Sequence, residues 1–288
     1  MRRAAWLLVA LLGCSGKGDT ASSNGGGTGG TDDSASDTDD PDEQLRGDCP
    51  VGMVEIAAMS GPLGEGDPVL QERYAGQVVL ERQMTLEAFC IDRYPFPGEG
   101  YQWTDDPLDW SAVEAFEAHV SGYGRRLCTV AELMAAAGGP ENWRYPYDRL
   151  AYREGKCEPA DLTPTDPIGS FPDCESPTGV RDFMVRSAWA VLDEQAGEDI
   201  LAYYMTDTGS LIPGGGHYAV WGGSASQDTF YAPNNYGLHF YGPGDPGYVN
   251  ESVRTCASLG RPSAEAEADW ADFVDAFVSS GLGFGSLQ

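Results

Sequence analysis

The sequence predicts a loop-rich α+β domain with short strands and two main helices, held by disulfide bonds. Three observations predict it. Two helix-start signatures lie close together at Ser111–Glu114 and Thr129–Glu132. Short apolar or alternating stretches surround them rather than one long periodic pattern. Gly (38) and Pro (19) are abundant, which favours turns, and seven cysteines are present. The 288 residues suit one or two domains, and a hydrophobic content of 41% is enough for a substantial core.

Met1-Arg2-Arg3 is a basic start, and Ala4 to Leu12 is unbroken apolar sequence. This is too short to span a bilayer and reads as an export signal over residues 1–13. It ends in Leu11-Leu12-Gly13-Cys14, which resembles the lipobox of bacterial lipoproteins. That resemblance implies cleavage before Cys14 and lipidation of Cys14. Attachment is then to the membrane through acyl chains, in the cell envelope, and Ser15 favours the outer membrane or cell surface. Ordinary signal cleavage with a spare cysteine is the alternative. Residues 14–47 read as a Gly/Ser/Asp-rich tether, since nothing large and apolar occurs before Leu45 to repay ordering. Its Asp spacing lacks the turn glycine and distal Glu of a calcium loop.

Residues 48–262 form the domain. Met53–Ile56 is expected as a strand, 61–68 as a loop, and Val78–Leu80 and Met84–Ile91 as two further strands. The first helix follows Asp109-Trp110, with Ser111 and Glu114 read as its capping box and Val113, Phe116 and Val120 on one face. Gly122 or Gly124 stops it. The second starts at the capping box Thr129–Glu132 and ends at Gly138-Gly139. Val180–Leu192 and Ile200–Met205 are expected to be buried, Ala219–Trp221 to be a strand, and Ser252–Ala257 to be a late core strand. Residues 263–288 are an amphipathic helix and tail, with Trp270, Phe273, Val274, Phe277 and Val278 opposed by acids.

Charge and cysteine usage bound the function. There are 17 Lys+Arg against 45 Asp+Glu, a formal net charge of −28. So negative a field argues against nucleic-acid partners and against a basic membrane-binding face. Setting Cys14 aside leaves Cys49, Cys90, Cys128, Cys157, Cys174 and Cys256, an even set that reads as bridges in an exported protein. Cys157 and Cys174 bracket a Pro-rich stretch and are expected to pair; the other four are left open.

Several blocks resemble one family. Cys49-Pro50-Val51-Gly52-Met53-Val54-Glu55-Ile56 resembles G-M-V-x-I-P, and Phe89–Tyr94 resembles F-x-I-D-x-Y. Gly124–Leu133 resembles G-K-R-L-P-T-E-A-E-W, and Tyr145-Pro146-Tyr147 resembles Y-P-W. Ile168–Phe171 with Ser176–Phe183 resembles V-G-S-x followed by S-P-F-G-V-Y-D-M. Val220–Ser224 resembles R-G-G-S-W, and Val253-Arg254 with Cys256 resembles the closing G-F-R. In this order, over most of the chain, they resemble the formylglycine-generating enzyme, or sulfatase-modifying factor, family. The resemblance implies a C-type-lectin-like fold.

It also implies an oxidase that holds copper through two cysteines shortly after the R-G-G-S strand. Thiolate is the soft ligand that captures Cu(I). Here Gln227 and Ala232 stand at those positions, so neither copper nor a catalytic residue is expected. The family's calcium Asn and Glu positions carry Arg186 and Trp189, which leaves no structural calcium set and no metal site spelled out. His119, His217 and His239 lack the spacing of an iron site. The functional expectation is therefore a non-catalytic binding module at the cell surface, for an unknown glycan, peptide or protein. Its candidate ligand loop carries Trp221, Gln227, Tyr231, Asn234, Asn235, Tyr236, His239 and Tyr241, aromatic and amide groups suited to stacking and hydrogen bonding. A self-packing aromatic loop is the structural alternative. The competing function is a formylglycine-generating or related oxidoreductase with a displaced active site.

Overall fold

The computed structural model describes residues 47–73, 79–103, 108–149, 156–157, 166–183, 185–191, 218–221, 239–240, 251–280 and 284–287. The chain divides into two units, Met1–Asp39 and Asp40–Gln288, and every described residue lies in the second. The export signal, Cys14, the tether to Arg46 and the segment Ile200–Met205 lie outside the described residues. Among the described residues, no helix is long and apolar enough to cross a membrane.

Among the described residues the architecture is α+β, with three principal helices, a short fourth and several small sheets. The first sheet has the order β1-β4-β10-β5, all antiparallel, from β1 (Met53–Ile56), β4 (Phe89–Asp92), β10 (Thr255–Ser258) and β5 (Arg126–Leu127). A two-stranded sheet pairs β2 (Met59–Leu63) with β3 (Arg82–Leu86). A third has the order β8-β7-β6-β9, from β6 (Ser187–Val191), β7 (Tyr218–Trp221), β8 (His239–Phe240) and β9 (Glu251–Val253). Its β6–β9 pair is parallel. The helices are α1 (Pro68–Arg73), α2 (Trp110–Val120), α3 (Val130–Gly138) and α4 (Ala264–Ser279).

Four expectations about strands and loops are corrected. Residues 61–68 are not one loop: Gly61-Pro62-Leu63 complete β2, and α1 starts at Pro68. Pro62 fits because a two-stranded sheet leaves each strand a free edge that needs no N–H. Val79 and Leu80 form no strand, only a single bridge from Leu80 to Glu65. Met84–Ile91 divides at Glu87-Ala88 into β3 and β4, which join different sheets. Only β3 keeps an alternating pattern; all four residues of β4 are buried because it lies between β1 and β10 with packing on both faces. Likewise Ser252–Ala257 breaks at Arg254, so β9 and β10 also belong to different sheets.

The helix starts show why local signals compete. α2 is capped by Asp109, not Ser111: the Asp109 carboxylate accepts from the Ala112 N–H at 2.8 Å and from the Ser111 hydroxyl at 2.8 Å. Asp is as good an N-cap as Ser, and here Trp110 takes the first helical position. α3 has the reciprocal box, with Thr129 Oγ1 accepting from the Glu132 N–H and Glu132 Oε2 accepting from the Thr129 N–H at 2.8 Å. Every α3 residue is buried. α3 ends at Gly139, whose φ of 61° suits glycine and where a Cβ would meet Pro177 at 2.9 Å.

Two cores result. α3 packs Leu133 and Met134 among Val54, Ile56, Phe89 and Ile91. Phe96 centres the other core, with Phe116 of α2 at 4.9 Å, Phe277 of α4 at 5.0 Å and Phe284 at 5.9 Å. Burying a side chain such as Phe277 contributes about 1.5–3 kcal/mol. Disulfides join Cys49 to Cys90, Cys128 to Cys256 and Cys157 to Cys174.

Candidate functional site

The expected ligand loop is described only at its ends. Trp221 closes β7 and His239 opens β8, and the antiparallel register pairs Val220 with His239. The two loop ends are therefore brought within one register step of each other. Gln227, Tyr231, Asn234, Asn235, Tyr236 and Tyr241, and also Ala232, lie outside the described residues.

The described residues build a different concave, charged site where β4 runs out of the first sheet. Asp92 is its hub. One carboxylate oxygen accepts from Arg125 Nη1 at 2.7 Å, and the other accepts from the Thr255 N–H at 2.6 Å and the Thr255 hydroxyl at 2.7 Å. Arg125 also donates to Thr255 Oγ1 at 3.1 Å and to the Val51 carbonyl at 3.3 Å. Its guanidinium lies 4.0 Å from the centre of the Trp270 ring on α4, a cation–π stack. Burial pulls the Arg125 pKa down, and the Asp92 charge and hydrogen bond oppose that fall. Sheet pairing explains the convergence: β10 lies between β4 and β5, so Asp92, Thr255 and Arg125 meet although they are distant in sequence.

Behind this hub lies a second buried cation. Arg254 is 1% exposed and donates to the carbonyls of Asp92 at 3.1 Å, Arg93 at 3.2 Å and Arg181. It also lies over the Phe183 ring at 4.5 Å. Burial brings its pKa down to about 10, with Asp182 and Asp92 opposing. These carbonyl contacts tie the β9–β10 junction to the end of β4, which accounts for the break in the late strand at that residue.

Asp182 has an unusual backbone, φ 59°, and its Oδ2 accepts from the Gly169 N–H at 2.7 Å. Its other oxygen is buried without a hydrogen-bond partner among the described residues. Burial raises its pKa above 3.8, while the Gly169 bond, Arg254 and Arg181 pull it back. A carboxyl with a raised folded-state pKa stabilises the fold most below its unfolded value, and that contribution is lost as pH rises through the folded pKa. Asp182→Asn tolerates the same φ and cannot ionise. The stability difference, variant minus wild type, is therefore expected to grow more favourable to the variant as pH rises above 3.8. Urea unfolding over a pH series checks this; a constant difference, or one of opposite slope, refutes it.

A cleft of about 180 Å³ opens beside the hub, lined by Val51, Asp92, Arg93, Glu99, Arg125 and Trp270 among others. The Tyr94 hydroxyl donates to Glu99 Oε1 at 2.9 Å across its rim. Burial and that bond raise the Tyr94 pKa. A smaller recess of about 20 Å³ shares Val51, Arg125 and Trp270.

The metal chemistries implied by the family resemblance can be tested against the donors present. The six domain cysteines are all taken up in disulfides, so the described domain offers no thiolate pair to copper. At the calcium positions, Arg186 packs its guanidinium over the Trp103 ring at 4.8 Å, and Trp189 Nε1 donates to Glu251 Oε2 at 2.7 Å. A cation and an N–H donor do not ligate a hard dication. Among the described residues no group of three His, Cys, Asp or Glu is placed to hold a metal. His119 lies on α2 with its ring 4.5 Å from Phe273, and His217 is outside the described residues.

In the sequence Asp92 and Arg125 stand in separate motif blocks, and nothing there reveals their pairing. Thr255 and Trp270 carry no link to either. The partners are 33 and 163 residues apart, so no local spacing signals them. A buried Asp within an otherwise apolar strand, Phe89-Cys90-Ile91-Asp92, was the available hint, because buried carboxylates need a partner.

Solved structures similar to this chain include two of low identity. The structure of PvdO from Pseudomonas aeruginosa is 20% identical, covering 74% of this chain and 95% of that one, with a TM-score of 0.52. Treponema denticola variable protein 1 is 14% identical, covering 72% of this chain and 94% of that one, with a TM-score of 0.48. The likeness to PvdO is one of fold. No protein-family model matches the sequence, and no curated protein matches it.

Proposed function

We propose that the chain is an exported protein, lipid-anchored at Cys14 in the cell envelope, whose domain is a non-catalytic binding module facing the cell surface. In this reading the domain is a C-type-lectin-like variant of the formylglycine-generating enzyme type that has lost its oxidase chemistry. The order of the motif blocks and the likeness in fold to PvdO support the type. The single observation that carries the loss of chemistry is the fate of the cysteines. Cys49, Cys90, Cys128, Cys157, Cys174 and Cys256 are bonded to one another, and Gln227 and Ala232 occupy the aligned ligand positions. A disulfide sulfur is not the thiolate that Cu(I) requires.

Two measurements test the reading. The purified full-length chain, incubated with copper, reductant and oxygen, is expected to leave a Cys-x-Pro-x-Arg peptide unmodified by mass spectrometry. Aldehyde formation above a no-enzyme control would overturn the non-catalytic assignment. A clickable palmitate analogue is expected to label the wild-type chain in cells and not Cys14→Ala. Equal labelling of both would remove the anchor from the proposal. An array of glycans and peptides probed with the same chain is the direct search for a ligand.

A further inference from the structure

Arg125 lines the cleft and leaves part of its hydrogen-bonding capacity unused among the described residues. A guanidinium has five N–H donors. Nη1 bonds Asp92 and Thr255, and Nη2 bonds the Val51 carbonyl. Nε and the second Nη2 hydrogen make no bond among the described residues, although the side chain is only 4% exposed. Opposite charge is present in the same cleft, since Glu99 and Asp92 line it with Arg125 and Arg93. Val51, Phe96 and Trp270 add apolar surface to it.

The charges decide which ligand class fits. An anion would meet Arg125 but also Asp92, Glu99 and the field of a chain carrying −28 net charges. A cation would be drawn by that field yet would face the guanidinium and leave its spare donors unpaired, which costs free energy in a buried place. A neutral group carrying several hydroxyls accepts from Arg125 and donates to Glu99 at once, because each hydroxyl does both. The cleft, about 180 Å³, is compact and suits a single ring better than an extended chain. We infer that this cleft is a subsite for a single neutral polyhydroxylated ring, a hexose or the terminal hexose of a glycan, anchored by Arg125. The inference deepens the binding-module reading and rests on it, but its contact residues are not those of the loop between β7 and β8.

The test uses the full-length chain and a panel of neutral methyl hexosides, with a hexuronic acid, a hexosamine and glycylglycine as charged and peptide comparators. Binding is read by ligand-observed NMR saturation transfer and by titration calorimetry. At least one neutral hexoside is expected to bind and to outcompete all three comparators. Val51 is 52% exposed, so Val51→Trp fills the cleft mouth without entering the core, and it is expected to weaken that binding by about tenfold or more. Glu99→Gln keeps a partner for Tyr94 and is expected to weaken it severalfold. Preference for a charged or peptide comparator overturns the inference, as does no hexoside binding. Hexoside binding that Val51→Trp leaves within twofold also overturns it, while the binding-module reading survives. No ligand of any class on the panel or on the array removes both.

Discussion

Replacing Cys128 and Cys256 together by alanine is expected to destabilise the domain by about 5 kcal/mol, the largest loss of the three bridges in a chain-entropy account. The two cysteines are separated by 128 positions, against 41 for Cys49–Cys90 and 17 for Cys157–Cys174. The entropy removed from the unfolded chain grows with the logarithm of loop length, so the same account gives about 4 and about 3 kcal/mol for the shorter bridges. Location acts in the same direction. Cys128 sits at the junction between β5 and α3 and Cys256 in β10, and both are fully buried in the core around α3. Alanine avoids burying a new hydroxyl, so the comparison is chiefly of cross-links. Urea unfolding of the three double-alanine variants at pH 7 checks the order. A Cys157/Cys174 variant less stable than the Cys128/Cys256 variant would show that native-state strain or residual unfolded structure outweighs loop length.

Asp92→Ala is expected to cost about 3–5 kcal/mol, the range for breaking a buried ion pair from one side. The carboxylate partners the guanidinium of Arg125 and both donors of Thr255, and the two charged side chains are 12% and 4% exposed. Removing it leaves a buried cation that keeps Thr255 Oγ1, the Val51 carbonyl, the Trp270 face and the more distant charge of Glu267 among the described residues. The double variant Asp92→Ala/Arg125→Met is expected to recover part of the loss, because it removes the stranded charge together with its partner. Denaturant midpoints of the single and double variants provide the measurement. A single variant within about 1 kcal/mol of wild type would mean that water or Arg125 movement relieves the stranded charge.

Both expectations concern long-range pairings, and they mark where sequence reading stops. The capping box of α3 was legible because its two hydrogen bonds lie within four residues, Thr129 to Glu132. α4 was legible from its apolar stripe of Trp270, Phe273, Val274, Phe277 and Val278; the structure adds the cap, Ser263 Oγ accepting from the Ala266 N–H. The apolar face of α2 was legible from spacing, and Val113, Phe116 and Val120 are all fully buried. Its cap was misplaced because Asp109 and Ser111 offer equivalent local chemistry. Tertiary packing selects between them: Trp110, in the first helical position, lies against the Tyr218 ring of β7 at 4.8 Å. The break between β3 and β4 was invisible for a different reason. Alternation describes a strand with one wet face, and β4 has none, because Phe89 and Ile91 pack in the core around α3 while Cys90 packs with Cys49 and Met53 on the other side.

The candidate site divides in the same way. The sequence by itself determined the composition, the order of the motif blocks and the absence of cysteine at residues 227 and 232. It also determined the residue types Arg186 and Trp189, which cannot act as oxygen ligands. These rest on residue identity, whose chemistry does not depend on the fold. Tertiary structure alone decided that Cys49 bonds Cys90 and Cys128 bonds Cys256, that Asp92 meets Arg125 and Thr255, and that Trp270 of α4 covers the guanidinium beside the cleft. Each of these depends on which strand lies beside which. Strand order is set by the burial of side chains drawn from the whole domain, and a sequence window holds only one partner of each pair.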